Sequence, residues 1–119
     1  MLLVEDNAAV RRTFERLLVR LGYEVTSAGS AEEAEGLALT QTFSLLLTDM
    51  MLPGLSGADL AERLRQRWPR VQVILMSGYT DDEEIRHRAA HGALRFLPKP
   101  VDLETLAHEV HAALGESSR

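Results

Sequence analysis

The 119 residues, 45% hydrophobic and 26% charged with a formal charge of −5, suit one globular domain with a single core. The acidic balance argues against a nucleic-acid surface, and no apolar run approaches the roughly 20 residues of a membrane span. No basic, apolar leader precedes the first predicted element, so a cytoplasmic location with no membrane contact is expected. The absence of cysteine removes disulfides, thiolate nucleophiles and thiolate metal sites together, leaving oxygen or imidazole to hold any metal.

Taken in order, Leu2-Leu3-Val4 is an apolar strand stopped by Glu5-Asp6. Val10, Phe14, Leu17, Leu18 and Leu21 then recur at helical spacing, and Gly22 supplies the stop. Tyr23 to Ala28 alternates and predicts a second strand. Ser30 and Glu33 form a capping box opening a helix with Ala34, Leu37 and Ala38 on its apolar face. The run from Phe43 to Leu47 ends at Thr48-Asp49 and breaks into the turn Pro53-Gly54, the pattern of a strand buried on both faces.

Ser56 caps a third helix carrying Leu60, Ala61, Leu64 and Trp68, which Pro69 terminates. Val71 to Met76 is the fourth strand, ending at Ser77-Gly78. Thr80 and Glu83 open a weakly amphipathic fourth helix, with Ile85, Ala89 and Ala90 before Gly92, expected to be the least firmly docked. Ala93 to Leu97 is a fifth strand closed by Pro98-Lys99-Pro100, and a proline there favours a sheet edge. Asp102 caps a fifth helix through Leu103, Leu106, Val110 and Leu114; residues 115–119 read as a tail or the start of a linker.

Strict β-α alternation with short connections predicts an α/β fold over residues 1–114. It should be a flavodoxin-like doubly wound sheet of five parallel strands in the order 2-1-3-4-5, with five helices. That order brings Glu5, Asp6, Asp49, Ser77 and Lys99 to one edge of the sheet, beside its switch point. Three carboxylates this close repel one another unless a cation intervenes, and Mg2+, with oxygen ligands and retained waters, suits an open site. Lys99 is the sole lysine among thirteen basic residues, so it marks a place that needs a compact ammonium. With Ser77 as hydroxyl donor, the cluster can cradle a phosphoryl group on Asp49.

Glu5-Asp6, Asp49 within Leu47-Thr48-Asp49-Met50-Met51-Leu52-Pro53-Gly54-Leu55-Ser56-Gly57, Met76-Ser77-Gly78-Tyr79 and Lys99-Pro100 together resemble the CheY-like receiver domain of two-component response regulators. The resemblance covers essentially the whole chain, with every motif in order. It implies that Asp49 accepts phosphate from a phosphohistidine on a histidine kinase or histidine phosphotransfer domain. It also implies that Asp6, Asp49 and the Met51 backbone carbonyl bind Mg2+, with Glu5 holding a coordinated water. Lys99 would pair with the phosphoryl oxygens, the Lys99-Pro100 peptide would be cis, and Ser77 and Phe96 would act as the switch residues. The face made by the fourth helix, fifth strand and fifth helix would then change for a partner to read, and a homodimer through that face is allowed.

Phe96 stands where many family members carry tyrosine, so its switching relies on packing alone. Met51 and Tyr79 occupy positions that in the family influence the hydrolytic water, and neither orients it well, which predicts a long-lived phosphoryl group. The wording from Met76 to Asp81 also looks like receivers appended to hybrid histidine kinases, and the first strand beginning so near residue 1 suggests a module of a longer protein. Such a module is not a turnover enzyme.

Two other readings compete with this one. A phosphatase of the haloacid dehalogenase type also forms an aspartyl phosphate, but it looks for a second Asp where this chain has Met51. An interaction-only receiver would be expected to lose Asp49, Lys99 or the acidic pair, and all are present. The pairs His87/His91 and His108/His111, the acidic run Asp81 to Glu84 and Trp68 are read as solvated faces, a dipole-complementing helix start and a helix-end anchor. Arg11, Arg12, Arg16 and Arg20 form a polar face of the first helix that can contribute to kinase docking.

Overall fold

Strand-length runs that are apolar at every position, rather than at alternate ones, must be covered on both faces. The computed structural model describes residues 1–77 and 94–117. Its strands are β1 (Leu2–Val4), β2 (Thr26–Ala28), β3 (Leu45–Asp49), β4 (Gln72–Ser77) and β5 (Leu94–Pro98). Its helices are α1 (Ala8–Arg20), α2 (Ala31–Ala38), α3 (Gly57–Arg67) and α4 (Leu103–Ser117). The helix expected between Thr80 and Gly92 lies outside the described residues, so α4 is the helix predicted as the fifth. Every strand pair is parallel and the order is β2-β1-β3-β4-β5, the flavodoxin-like arrangement.

Successive side chains leave a strand on opposite faces, so each run divides its apolar residues between two cores. Leu2, Val4, Leu46, Val73 and Leu75 pack with Ala34 of α2 and Leu60, Ala61 and Leu64 of α3. Leu3, Leu45, Leu47, Ile74, Met76 and Leu97 pack instead with Phe14 and Leu18 of α1 and with Leu106, Val110 and Ala113 of α4. Truncating any one of the fully buried leucines to alanine removes about 2–5 kcal/mol of stability. No helix among the described residues is long and apolar enough to cross a membrane.

The local stops explain where the elements end. At the end of α1, Gly22 takes φ +98°, its amide donates to Val19 O at 3.0 Å, and the Tyr23 amide donates to Leu18 O at 3.1 Å. This is a Schellman closure. It corrects the expected start of β2: the Tyr23 amide is consumed by the helix end, and pairing begins only at Thr26, whose amide donates to Met1 O at 2.9 Å. Ser30 and Ser56 cap α2 and α3 as their positions predict, accepting from the amides of Glu33 and Asp59, each at 3.1 Å. Glu33, however, reaches past Ser30 and accepts from the Gly29 amide at 3.0 Å, one residue earlier than in a standard capping box.

β5 lies at the edge and ends at Pro98, paired with Ser77; the Lys99 amide then donates to Ser77 O at 2.7 Å. Asp102 accepts from the Thr105 hydroxyl at 3.2 Å, and α4 continues beyond Leu114 to Ser117. Trp68 closes α3 and meets the Phe43 ring edge-on, with centroids 5.8 Å apart, as a helix-end anchor should.

Candidate functional site

The period of two along the strands also builds the site. Leu3, Leu45, Leu47 and Leu97 face α1 and α4, so the residues two further on that continue these rows, Glu5, Asp49 and Lys99, reach the C-terminal edge of the sheet on that same side. They meet at one end of a cleft of about 680 Å3, whose walls come from α1 (Val10, Thr13 and Phe14), from Val101 and from the first residue of α4, Leu103.

Asp49 ends β3 and is only 3% exposed. Its Oδ2 accepts from Lys99 Nζ at 2.6 Å and its Oδ1 from the Met51 amide at 3.1 Å. Met50 secures the turn from both sides: its amide donates to Met76 O at 2.7 Å and its carbonyl accepts from Gly57 at 2.9 Å. Thr48, fully buried beside it, donates its hydroxyl to Asp49 O at 3.0 Å. The Lys99-Pro100 peptide is cis.

Glu5 is 2% exposed, an uncommon position for a carboxylate. Its Oε1 accepts from the Asn7 amide at 3.1 Å, while Oε2 is buried with no hydrogen-bond partner. Burial pushes its pKa up to about 7, reinforced by the charge of Asp49 and the neighbouring Asp6 carboxyl and opposed by the Asn7 amide and Lys99. One oxygen from each of Glu5, Asp6 and Asp49 lies within 4.8 Å of the others. A buried carboxylate oxygen with no donor, facing two more carboxylates, is the arrangement that a hard divalent cation satisfies. The donor set therefore fits Mg2+.

Ser77 closes β4 and is buried; the ladder pairs Asp49 with Met76, so Ser77 follows Asp49's partner directly. Phe96, of opposite parity to Leu97, is half-buried against the core on the α2 and α3 side. The face expected to include the fourth predicted helix lies partly outside the described residues, as do Tyr79, His87 and His91.

Two supporting residues, Asn7 and Gly57, were given no role from the sequence, and a third, Arg11, was given a different one. Asn7 caps α1, its side chain accepting from the amides of Ala9 and Val10, while its own amide holds Glu5. An Asn directly before a helix is a legible cap, but its contact with Glu5 is not. Gly57 stands where a Cβ would lie 2.1 Å from Asp49 O, so only glycine lets α3 begin against the end of β3. Arg11 corrects the reading of α1 as one polar docking face. Arg12, Arg16 and Arg20 are exposed, whereas Arg11 is half-buried and donates from Nη1 to Glu5 O at 2.7 Å.

A family model described as the response regulator receiver domain matches residues 1–111. The chain is 37% identical over 113 residues to the response regulator protein PilR of Pseudomonas aeruginosa, covering 95% of this chain and 25% of that protein. It is 31% identical over 112 residues to the DNA-binding transcriptional regulator NtrC of Klebsiella pneumoniae, covering 94% of this chain and 24% of that protein. The chain thus spans about a quarter of the length of these relatives. Among solved structures, a CheY-like receiver domain protein from Methanospirillum hungatei matches with a TM-score of 0.90 at 29% identity, over 98% of this chain and 94% of that one.

Proposed function

Because this chain belongs to the response regulator receiver family, we propose that Asp49 accepts a phosphoryl group from a phosphohistidine on a histidine kinase or histidine phosphotransfer domain. Receiver domains are regulatory modules, so the reading as a haloacid-dehalogenase phosphatase falls away. The observation that carries the proposal is the Asp49 carboxylate itself. It is nearly buried at a strand end, with one oxygen 2.6 Å from the chain's only lysine and the other on a backbone amide.

In the reaction a carboxylate oxygen of Asp49 attacks phosphorus. The O–P bond forms as the P–N bond of the phosphohistidine breaks, and the electron pair returns to the imidazole nitrogen. The Met51 amide holds the other carboxylate oxygen, leaving the nucleophile oriented before the donor arrives. Lys99 gives up its pairing with Asp49 and follows the charge onto the phosphoryl oxygens. Asp6, Asp49 and the Met51 carbonyl would hold Mg2+, with Glu5 holding one of its waters. When bound, the ion neutralises charge on the transferring phosphoryl group.

Ser77, at the end of the neighbouring strand, is the hydroxyl suited to bond the acquired phosphoryl group, and the half-buried Phe96 is the ring suited to follow it inward. That movement would alter the surface of β5 and α4 for a partner, a second copy of the chain included. NtrC's description as a DNA-binding transcriptional regulator makes a transcriptional output domain the partner in sequence that we propose for this receiver.

Asp49→Asn tests the assignment: labelling by acetyl phosphate in Mg2+ buffer should be abolished. Labelling that persists in this variant would falsify the role given to Asp49.

A further inference from the structure

We infer that Arg11 is a positioning residue for the cation-binding carboxylates, its guanidinium fixing the peptide plane that carries Glu5 on one side and Asp6 on the other. This rests on the reading of Glu5, Asp6 and Asp49 as a metal centre.

β1 ends at Val4, so the Glu5 carbonyl is outside the strand while its residue is still buried. A buried carbonyl needs a donor, and Arg11 Nη1 provides one at 2.7 Å. The consequence reaches beyond that bond. The peptide group joining Glu5 to Asp6 is planar, so holding its oxygen fixes the rotation of the whole plane about the line between the two α-carbons. Because Ala28 O already holds the Glu5 amide, the two bonds together restrain ψ of Glu5 and so the place from which Asp6 continues the chain.

The other atoms of Glu5 are held as well. Its amide donates to Ala28 O at 3.1 Å, and its Oε1 accepts from Asn7 at 3.1 Å. Only Oε2 is left without a partner, on a carboxylate that has one oxygen within 4.8 Å of an oxygen of Asp6 and of Asp49. Arg11 therefore completes a frame that leaves one Glu5 oxygen open beside the other two carboxylates.

The guanidinium is itself seated. A Cβ on Gly29 would lie 3.1 Å from Arg11 Nη1 and 3.7 Å from its central carbon, so glycine leaves just enough room for the fork. The Gly29 amide is fixed in turn by Glu33 Oε2 at 3.0 Å, which explains why Glu33 reaches one residue further than a capping box requires. The start of α2 thus backs the arginine that backs the carboxylates. No site residue lies on β2 or α2, yet their connection takes part in holding the site.

The test measures Mg2+ binding by isothermal titration calorimetry, with the Mg2+-free thermal midpoint recorded alongside. Arg11→Gln should raise the Mg2+ dissociation constant about tenfold, as loss of a residue that orients metal ligands does. Gly29→Ala, which touches none of the carboxylates of Glu5, Asp6 and Asp49, should raise it in the same direction by less. Arg11→Lys, keeping the charge and a donor, should fall between wild type and Arg11→Gln; it carries the test with Gly29→Ala if Arg11→Gln does not fold. A lower midpoint with an unchanged dissociation constant would mean that Arg11 only stabilises the fold, and would overturn the inference. Asp6→Asn separates the two readings. If Mg2+ binding survives that variant, the metal centre itself is wrong; if Asp6→Asn abolishes binding while the Arg11 and Gly29 variants bind as wild type, only the role of Arg11 is wrong.

Discussion

Lys99 Nζ lies 2.6 Å from Asp49 Oδ2, joining the end of the edge strand β5 to the end of β3 across the intervening β4. A four-carbon stem with a compact head makes that reach, and the ammonium presents donors in several directions to whatever oxygen replaces the carboxylate. Lys99→Arg keeps the charge but substitutes a planar fork. Acetyl phosphate labelling of this variant at fixed Mg2+ should slow about tenfold, or about 1.4 kcal/mol of barrier. A wild-type rate would show that charge alone suffices and that the lone lysine has no special place.

Gly57 determines how closely α3 can approach Asp49. A Cβ there would sit 2.1 Å from Asp49 O and 3.1 Å from Met50 Cα, both backbone atoms that cannot step aside as a flexible side chain would. Gly57→Ala should therefore destabilise the chain by about 3 kcal/mol in urea denaturation, the upper range for overpacking. Gly36, inside α2 with open space where its Cβ would be, is the control: Gly36→Ala should stabilise by about 0.5–1 kcal/mol. Equal effects at the two positions would contradict the close approach.

Glu5 makes the metal-free chain sensitive to pH near neutrality. Burial first, then the charge of Asp49 and the Asp6 carboxyl, raise its pKa from 4.5 to about 7, against the Asn7 amide and Lys99. A carboxyl whose pKa rises on folding binds its proton more tightly in the native state. Its contribution to stability is then fully present below about pH 4.5 and is lost as the pH climbs through about 7. Without Mg2+, the thermal midpoint of wild type relative to Glu5→Gln should fall as the pH rises through that window. Because a cation competes with this proton, Mg2+ should raise the wild-type midpoint more at about pH 7.5 than at about pH 5. A wild-type midpoint that gains on Glu5→Gln as the pH rises would contradict the placement of Glu5.

The fold was legible because its signals are local or periodic. Runs apolar at every position announced a sheet covered on both faces. Ser30, Ser56 and Asp102 marked helix starts, and Pro98 belonged at an edge. The strand-end residues Glu5, Asp49, Ser77 and Lys99 could be gathered into one site once the order of strands was inferred. What escaped depends on distances between segments remote in sequence. The Cβ clash at Gly57 exists only because α3 packs against the end of β3. The Tyr23 amide could not be assigned to a helix end rather than a strand without its geometry. Arg11 looked like one of four surface arginines, and its bond to Glu5 O and the packing of Gly29 against it distinguish it from the other three.

In the proposed phosphorylated state, Met51 is placed to bear on how long the phosphoryl group persists. The residue is 67% exposed beside Asp49 while its amide is committed to the Asp49 carboxylate, and a thioether is a poor partner for water. Met51→Asn supplies an amide at that position, so after the donor is removed the acyl phosphate should be lost about fivefold faster, or about 1 kcal/mol of barrier. Equal decay in the two proteins would remove Met51 from the control of hydrolysis.

The central claim is that the phosphoryl group resides on one particular carboxylate, and chemical mapping reads that position directly. After labelling with acetyl phosphate in Mg2+, borohydride reduction converts an aspartyl phosphate to homoserine, which mass spectrometry of the digested protein locates. Homoserine should appear at position 49, dependent on Mg2+ and on the donor. Homoserine at Asp6 instead, or wild-type protein that takes up no label at all, would contradict it.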